Sequence, residues 1–460
     1  MARGRARRES VHVVIVGARA GAGIAHSMTQ DAAARAEELA RAAYGRLLAI
    51  LAARDGDIES AEDCLAEAFA QALHSWPEMG IPSNPEAWLL TVARNRRHDQ
   101  RRSATYRLSD WLDDVARVVV RGGGLTVEQE FDPDAIPDRR LALLFVCAHP
   151  AIDPAVRTPL MLQAVLGFDA DQIARAFAIP TATMAQRLVR AKRRIRDARI
   201  PFVVPGRGQM PEQLTPVLEA IYGAFAIDFP LVAGTEPRDS LAAESHYLAT
   251  TLAELLPDEP EALGLAALVS LSLARLPARS TVDEFVPLDE QDSSLWDREL
   301  IALGEQYLHL ARALGRTGRF QIEAAIQSVH CARATSGVTG WRALRTFHAA
   351  LLTIAPTLGA RVAHAAAVAR VEGALAGLEL LDAITDEAAL RFQPAWAIRA
   401  HLLAEAGRAE AAVRAYERAI SLTTDTAARR YLERRCARLL GEERRSIMSQ
   451  GAGGRTVRRR

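Results

Sequence analysis

The chain of 460 residues has few aromatic side chains (5%), four widely separated cysteines and a formal net charge of only +1. The cysteines, Cys64, Cys147, Cys331 and Cys436, form no CxxC or Cys/His pattern, so the sequence favours neither a zinc site nor a disulfide framework and indicates a reducing, cytoplasmic environment. No apolar run approaches the length expected of a transmembrane helix. Because the charges nearly balance, contact with nucleic acid must come from local basic patches.

The usual signatures of an enzyme are also missing. A strand-like run at 11–16 precedes three glycines within 17–23, but their spacing is not GxGxxG and no strand–helix–strand unit follows. No nucleophile, base and orienting group occur at a recognisable spacing, and Asp292 and His330 do not supply one. We therefore expect no enzymatic activity, no catalytic residue, no cofactor and no metal.

Length and composition predict an all-α protein of two to four domains. Ala, Leu, Arg and Glu dominate, and these residues favour helices. The ends differ from the rest: residues 1–27 and 446–460 are predicted to be disordered basic tails. A clean helical pattern begins at Met28, which we expect to be the true start.

The stretch 169–201 carries the clearest local pattern. Asp169, followed three residues later by Gln172, is typical of a capping box at a helix start. The helix breaks at 178–180, and Thr181 is expected to cap the next helix. That second helix directs Met184, Leu188 and Ile195 toward a core. Its other faces carry Arg187, Arg190, Lys192, Arg193, Arg194, Arg196 and Arg199. The pattern indicates a helix-turn-helix whose second helix enters the DNA major groove, with a solvated basic face as the alternative.

Residues 28–107 form a block of three predicted helices. The second helix, from Glu59 to Ser75, is predicted to end at Trp76-Pro77 and to place Glu62, Asp63 and Glu67 on its exposed side. A stiff, proline-containing loop follows at 78–85. The third helix, 86–102, ends in Arg94, Arg96, Arg97, Arg101 and Arg102. An ordinary bundle with solvated charges would give the same pattern.

An acidic linker and a long helical region complete the chain. Residues 108–138 combine a flexible RGGG with an acidic second half and are predicted to form a linker. Helical patterns then fill 205–445, where 394–422 fits a tetratricopeptide (TPR) hairpin and the earlier hairpins are degenerate. Polar residues in apolar helices could line a regulatory pocket or form a structural hydrogen-bond network: Gln291, Asp292, Trp296 and His330. A structural role for them is favoured.

The order of these segments resembles that of a known family. Residues 59–102, with the words ESAEDCLAEAFAQALHSW and PEAWLLTVARNRRHDQRR, look like region 2 of a sigma-70-family factor of the extracytoplasmic-function (ECF) type. Residues 141–201 look like region 4 of that family. The word TATMAQRLVRAKRRIRDARIPF is similar to the ECF group that has a C-terminal TPR-like extension, and so are LDEQDSSLWDRELIALG and LLAEAGRAEAAVRAYERAISL.

The resemblance implies an alternative sigma factor with region 2 at 28–107, region 4 at 139–204 and a helical regulatory domain at 205–445. It implies that Glu62, Asp63 and Glu67 bind core RNA polymerase and that the loop 78–85 captures a flipped base of the −10 element. The expected DNA contacts are Asn95, Arg96, Arg97 and Arg101 in region 2, and Thr183, Gln186, Arg187, Arg190, Arg193 and Arg194 at the −35 element. Core polymerase, promoter DNA and a small DGPF/YCII-like protein are the implied partners.

Two rival classes stay open at this point, a DNA-binding regulator and, much less favoured, an enzyme built on the N-terminal glycines or on Asp292 and His330. A helix-turn-helix activator or repressor with a TPR-like sensor would bind duplex DNA without polymerase. The acidic helix 59–75, with its loop and arginine-rich successor, argues against it, because such a regulator needs no second DNA-binding module.

Overall fold

The computed structural model divides the chain into two compact units, of which unit 1 comprises 1–228 and 237–251 and unit 2 comprises 229–236 and 252–460. The structure describes residues 32–40, 43–52, 58–96, 138–177, 179–197, 205–228, 241–281, 284–423 and 425–453. The predicted N-terminal tail, Met28, Arg97, Arg101 and all but the end of the predicted linker lie outside the described residues.

The described part of unit 1 contains helices and no strand. The helices are α1 (32–40), α2 (Tyr44–Ala52), α3 (Ile58–Met79), α4 (85–96), α5 (Arg139–Cys147), α6 (Pro154–Ala164), α7 (Ala170–Ala176), α8 (Thr181–Asp197), α9 (Met210–Asp228) and the first part of α10 (Leu241–Leu255). Aspartates cap several of them; Asp138 accepts backbone N–H bonds at the start of α5, and Asp153 does so at α6.

Helix α3 supplies much of the core of unit 1. Leu65, Phe69 and Trp76 are fully buried along one side of it. The expectation that Trp76-Pro77 ends this helix is wrong, because Pro77 lies inside the last turn and the helix continues to Met79. The chain leaves the helix at Gly80, whose φ of +81° is a left-handed conformation that suits glycine.

Helix α9 packs against α5 and α6 and therefore belongs to unit 1. The sequence prediction placed it in the C-terminal domain because Pro205-Gly206-Arg207-Gly208 has the composition of a boundary. Apolar residues of α9 such as Val217 and Ile221 are fully buried. Composition marks a break in helical structure at 205–208, but it does not tell on which side the next helix packs.

The described part of unit 2 is helical apart from one short pair of strands. Its elements are α11 (Pro260–Leu273), β1 (Ser280–Thr281), β2 (Glu284–Phe285), α12 (Arg298–Ala313), α13 (Arg319–Cys331), α14 (Arg333–Ser336), α15 (Trp341–Ile354), α16 (Leu358–Glu372), α17 (Ala374–Asp382), α18 (Gln393–Glu405), α19 (Ala409–Leu422) and α20 (Thr426–Gly453). The two strands pair antiparallel, with Ser280 opposite Phe285 and Thr281 opposite Glu284. They interrupt a region whose sequence pattern predicts helix throughout.

Helix α11 forms the centre of the first half of unit 2. It is apolar on all sides, and α12 and α13 both pack against it. Residues 260–278 are long and apolar enough to span a membrane by length and composition, which the sequence reading overlooked, yet 72% of that window is buried inside the protein. Such burial is typical of a core helix of a folded domain.

The second half of unit 2 is a stack of helical hairpins. The predicted TPR-like hairpin corresponds to α18 and α19, which pack through Leu403, Ala412 and Tyr416 among others. Gly373, whose φ is +101°, separates α16 from α17. Helix α20 reaches Gly453, so residues 446–453, predicted to lie in a disordered tail, are helical. Glutamates and arginines just before this stretch favour continuation of the helix.

Candidate polymerase and promoter surfaces

The predicted helix-turn-helix is formed by α7 and α8. The capping box is present as predicted: Asp169 accepts bonds from the backbone N–H groups of Asp171 and Gln172, and the Gln172 side chain accepts one from Asp169 at 3.0 Å. Thr181 does not cap α8 with its side chain. It begins the helix, and its hydroxyl donates to Asp171 Oδ1 at 2.8 Å, which ties α8 to α7.

Helix α8 exposes the residues predicted to read DNA. Met184, Leu188 and Ile195 are buried as predicted. The predicted DNA contacts are all exposed, and we name this set the α8 face: Thr183, Gln186, Arg187, Arg190, Arg193 and Arg194. A 17-residue helix is about 25 Å long, which suits insertion in a major groove about 12 Å wide.

Lys192 differs from the other basic residues of α8 whose side chains the structure describes, because it is buried rather than solvated. Its Nζ donates to both carboxylate oxygens of Glu62 at 2.7 Å, and each side chain is only 6% exposed. Glu62, predicted to lie on the exposed side of α3, is therefore buried in a pair with a residue 130 positions away. Burial raises the pKa of neighbouring Cys147 to about 12, with the Lys192 charge opposing and the Glu62 charge adding to that shift.

The other predicted polymerase contacts remain accessible. Asp63 is exposed and Glu67 is partly exposed. Glu67 Oε2 lies 3.8 Å from the Nε of Arg96, which belongs to α4, so the acidic helix and the arginine-bearing helix are joined by an ion pair. Asn95 and Arg96 are both exposed at the end of α4.

The loop between α3 and α4 exposes apolar side chains and ends at a residue that caps α4. Met79 and Ile81 are 74% and 41% exposed. Asn84 accepts a bond from the backbone N–H of Ala87 at 3.0 Å and so caps α4. Trp88 is half-buried and packs edge-on against buried Trp76, with ring centroids 5.6 Å apart.

The four predicted pocket residues come together around Arg333, which the sequence reading missed. The Arg333 guanidinium lies over the Trp296 ring at 5.0 Å and donates to the backbone oxygens of Leu288 and Gln291. Asp292 accepts a bond from Ser294 N–H at 2.9 Å and caps a short 3-10 turn. Arg333 follows His330 by three residues, a spacing that places both on one side of a helical stretch and could have pointed to it.

His330 lies in the same cluster and is held neutral. Burial lowers its pKa to about 3, and the charges of Arg275 and Arg333 act in the same direction. Its ring meets that of Trp341 edge-on at 6.2 Å. These packed contacts favour the structural role for the four predicted residues. A separate cavity of about 530 Å³ lies among α15, α16 and α17 and is lined by Arg345, His364 and Glu372 among others.

Two parts of the chain match models of known protein families. Residues 39–106 match the family model for Sigma-70 region 2, and residues 213–312 match a family of unknown function (DUF6596). The ECF RNA polymerase sigma factor SigL of Mycobacterium tuberculosis (strain ATCC 25618 / H37Rv) is 33% identical over 170 residues, which cover 36% of this chain and 91% of SigL. No solved structure matches the chain.

Two further relatives match different lengths of the chain. The uncharacterized protein R00370 of Rhizobium meliloti (strain 1021) is 32% identical over 396 residues, covering 84% of this chain and 91% of that protein. The probable ECF RNA polymerase sigma factor SigI of Mycobacterium tuberculosis (strain ATCC 25618 / H37Rv) is 30% identical over 153 residues, about half (49%) of its own length. The long match to R00370 therefore includes the C-terminal helical region, which the match to SigL is too short to span.

Proposed function

Because the chain belongs to the family of ECF RNA polymerase sigma factors, we propose that it binds core RNA polymerase, directs recognition of the −35 and −10 promoter elements and is regulated in cis by its C-terminal unit. The family is non-catalytic, and its members act on RNA polymerase, so this chain works where polymerase and chromosome are, in the cytoplasm. It carries out no covalent chemistry of its own.

The observation that carries the proposal is that unit 1 contains both the region 2 match and a separate helix-turn-helix. The region 2 match includes α3, the apolar loop and α4, and the helix-turn-helix follows with its exposed α8 face. A duplex-binding activator or repressor needs the second module alone. The match to region 2 therefore disfavours that alternative.

The two modules divide the work on the promoter. On the α8 face, Thr183, Gln186 and Arg187 in the first turns are suited to base edges, whereas Arg190, Arg193 and Arg194 are suited to phosphates. In region 2, Asn95 and Arg96 offer an amide and a guanidinium at the end of α4. The exposed Met79 and Ile81, at the end of α3 and in the loop that precedes α4, give apolar surface on which an unstacked base can rest.

We place the contact with core polymerase on the acidic side of α3. Asp63 is exposed and Glu67 partly exposed, and carboxylates there suit a reversible interface with a basic partner surface. Glu62 belongs to the same predicted surface but needs release from Lys192 before it can reach a partner.

Unit 2 is proposed as the regulatory part. Its stacked hairpins resemble the arrays that bind other proteins. The proposal includes both activation and inhibition of transcription by unit 2. A small DGPF/YCII-like partner stays an expectation from the resemblance alone.

Run-off transcription with bacterial core RNA polymerase on a randomised promoter library tests the proposal. The full chain is compared with a chain ending at residue 256, because truncation at 205 would remove α9 and α10 from unit 1. A variant with Arg187→Ala and Arg190→Ala serves as the matched negative control. Transcripts that require the protein and share a −35 word support a sigma factor, and the truncation gives the sign of regulation. If the chain bound duplex DNA in the absence of polymerase and gave no transcripts, it would be an activator or repressor rather than a sigma factor.

A further inference from the structure

The C-terminal segment of the chain differs in charge from everything before it. Residues 426–460 hold eleven arginines and three glutamates, which is a formal charge of +8. Because the whole chain carries only +1, residues 1–425 together carry −7. A block of like charge this dense is typical of a surface that binds a polyanion, whereas an ordinary solvated surface mixes both signs. The described part of this segment is α20.

Helix α20 uses some of its arginines for the fold of unit 2. Leu432 and Cys436 are buried in the same core cluster as the residues of α19. The Nη2 atom of Arg429 donates to the backbone oxygen of Thr423 at 2.5 Å. The Nη2 atom of Arg435 lies 3.0 Å from Nδ1 of His401. The packed side of α20 therefore accounts for Arg429 and Arg435, but not for the other arginines.

Three further arginines of α20 are exposed and follow one another at intervals of four residues: Arg430, Arg434 and Arg438. Positions four apart lie on one face of an α-helix, so the three form a row, which we name the α20 stripe. At about 1.5 Å per residue the row is about 12 Å long, and one strand of duplex DNA carries about three to four phosphates over that length. Among the exposed residues of α20 whose side chains the structure describes, Glu433 is the one acid.

The neighbouring helix has no such imbalance. Helix α19 packs against α20 and exposes two glutamates and two arginines, namely Glu410, Glu417, Arg414 and Arg418. Arg414 and Glu410 form an ion pair at 3.8 Å. The two signs balance on α19, as on an ordinary solvated face, whereas α20 presents three arginines against one acid.

We propose that the α20 stripe is an additional nucleic-acid site, which binds the phosphates of duplex DNA without regard to sequence. Guanidinium groups bind phosphate oxygens through charge-assisted hydrogen bonds. Single strands are bound largely by stacking on aromatic rings, and the one aromatic residue of α20, Tyr431, is half-buried against Phe285. A row of arginines without an exposed ring therefore favours the backbone of a duplex.

Such a site adds sequence-independent affinity to the module that reads sequence. Once the α8 face has bound DNA, the α20 stripe is tethered to it, and its binding to any phosphates within reach becomes intramolecular. Occupancy should then rise alike on every promoter, while the preference among promoters stays with the α8 face. This consequence rests on the proposed sigma function, but the site itself does not.

Fluorescence anisotropy of a labelled duplex of random sequence, titrated with the full-length chain in the absence of polymerase, tests the site. The titrations are repeated at salt concentrations from about 50 mM to about 200 mM. In the chain with Arg430→Gln, Arg434→Gln and Arg438→Gln, the slope of log K against log salt should be shallower by about 2.7, since each phosphate contact contributes about 0.9. The affinity at about 50 mM salt should fall by about 10- to 100-fold.

A lysine series separates the charge of the stripe from a role in folding. The chain with Arg430→Lys, Arg434→Lys and Arg438→Lys keeps the three positive charges and should keep the slope of the wild type. Glutamine, lysine and arginine have similar helix propensities, so urea unfolding midpoints of all three chains should agree. A loss of binding in the lysine chain equal to that in the glutamine chain would overturn an electrostatic role.

A control set removes the same charge from other helices of unit 2. Arg298→Gln, Arg312→Gln and Arg342→Gln alter exposed positions of α12 and α15 and should leave the slope unchanged. If this set lowered the slope as much as the glutamine set on α20, net charge would be the cause and the proposal would fail. It would also fail if the glutamine set on α20 had no effect.

Two further ligands in the same assay test the choice of partner. Single-stranded RNA should respond less than the duplex to the glutamine set, and a larger response would overturn the assignment to duplex DNA. Polyglutamate stands for an acidic protein surface. If the glutamine set weakened binding of polyglutamate but not of DNA, the stripe would be a protein-binding surface instead. Because no polymerase or promoter is present, these results do not depend on the sigma assignment.

Discussion

Glu261 caps a helix that begins 58 residues later, at Arg319: its Oε2 accepts the backbone N–H of Phe320 at 3.0 Å, and its Oε1 accepts that of Gln321 at 3.2 Å. The residue at the local N-cap position, Gly318, supplies no side-chain cap to α13. A Cβ on Gly318 would overlap the Glu261 carboxylate. The glycine thus makes room for a cap that comes from α11, and the two helices are fastened at one end.

This arrangement predicts a reversal of the usual N-cap preference. Glu261→Ala should destabilise unit 2 by about 2 kcal/mol, because it removes hydrogen bonds to a charged acceptor from orphan N–H groups. Gly318→Ser should also destabilise the native chain, although serine is ordinarily the better cap. In the Glu261→Ala background, the same serine should stabilise. Urea unfolding of the four chains gives the cycle, and additivity within about 0.5 kcal/mol would contradict the shared role.

Substitutions of two arginines on the α8 face should weaken DNA binding in different ways. Arg187→Ala should relax the preference at one −35 position and cost about 1–3 kcal/mol on the preferred promoter only. Arg193→Ala should weaken binding to all sequences and reduce the salt slope by about one. The measurement is anisotropy of labelled promoters with holoenzyme over a salt series. Exposed Arg298 of unit 2 provides the control substitution, Arg298→Ala. Equal effects of both α8 substitutions on every promoter would refute the assignment of Arg187 to a base and Arg193 to a phosphate.

The features that sequence predicted well are those fixed by neighbours in the chain. The Asp169–Gln172 capping box and the burial of Met184, Leu188 and Ile195 depend on spacings of three to seven residues. A helix start and a helical stripe are local events, so the helix-turn-helix could be derived without knowing what it packs against.

The features that sequence predicted poorly depend on distant partners. Periodicity placed Glu62 and Lys192 on solvated faces, and each helix alone would expose them. They are buried because the two helices meet, 130 residues apart in the chain. Arg333 was missed for a similar reason: two carbonyl groups of the segment 288–291 and the Trp296 ring converge on it only in the folded unit.

Acid should weaken unit 1 through Asp138. Burial works to raise the pKa of this carboxyl, but hydrogen bonds and the charge of Arg140 outweigh it and lower the pKa below 3.8. A depressed folded pKa means that the stabilisation is complete above the unfolded pKa and is lost as pH falls through the folded value. Asp138→Asn keeps an N-cap acceptor for α5 and removes only the charge.

The test compares unfolding of the wild type and the Asp138→Asn chain from pH 6 to pH 2. We expect a difference of about 1 kcal/mol above pH 5 that shrinks as pH falls below 4. Asp153→Asn, at the exposed cap of α6, is the matched control. A difference that is constant across this range would show that the charge of Asp138 is not the cause.

His330 should also make unit 2 less stable in mild acid, in this case because the buried imidazole is neutral in the folded chain. Burial lowers the pKa of this imidazole from 6.5 to about 3, with Arg275, His348 and Arg333 adding to the shift and Asp289 opposing it. The folded chain therefore binds no proton at His330 where the unfolded chain does. Stability is complete above pH 6.5 and falls as pH drops from 6.5 toward 3, by up to about 1.4 kcal/mol per pH unit for one proton.

His330→Gln should remove about one proton from this slope, because the unfolded chain then has one group fewer to charge. Burial also lowers the pKa of His348 to about 4, so part of the slope should remain in the variant. Urea unfolding of unit 2, followed by Trp296 and Trp341 fluorescence from pH 7 to pH 4, measures both chains. His309→Gln, on an exposed position of α12, is the matched substitution and should leave the slope as it is in the wild type. If His330→Gln and His309→Gln gave the same slope, His330 would have to be accessible to protons in the folded state, and its place in the Arg333 cluster would be wrong.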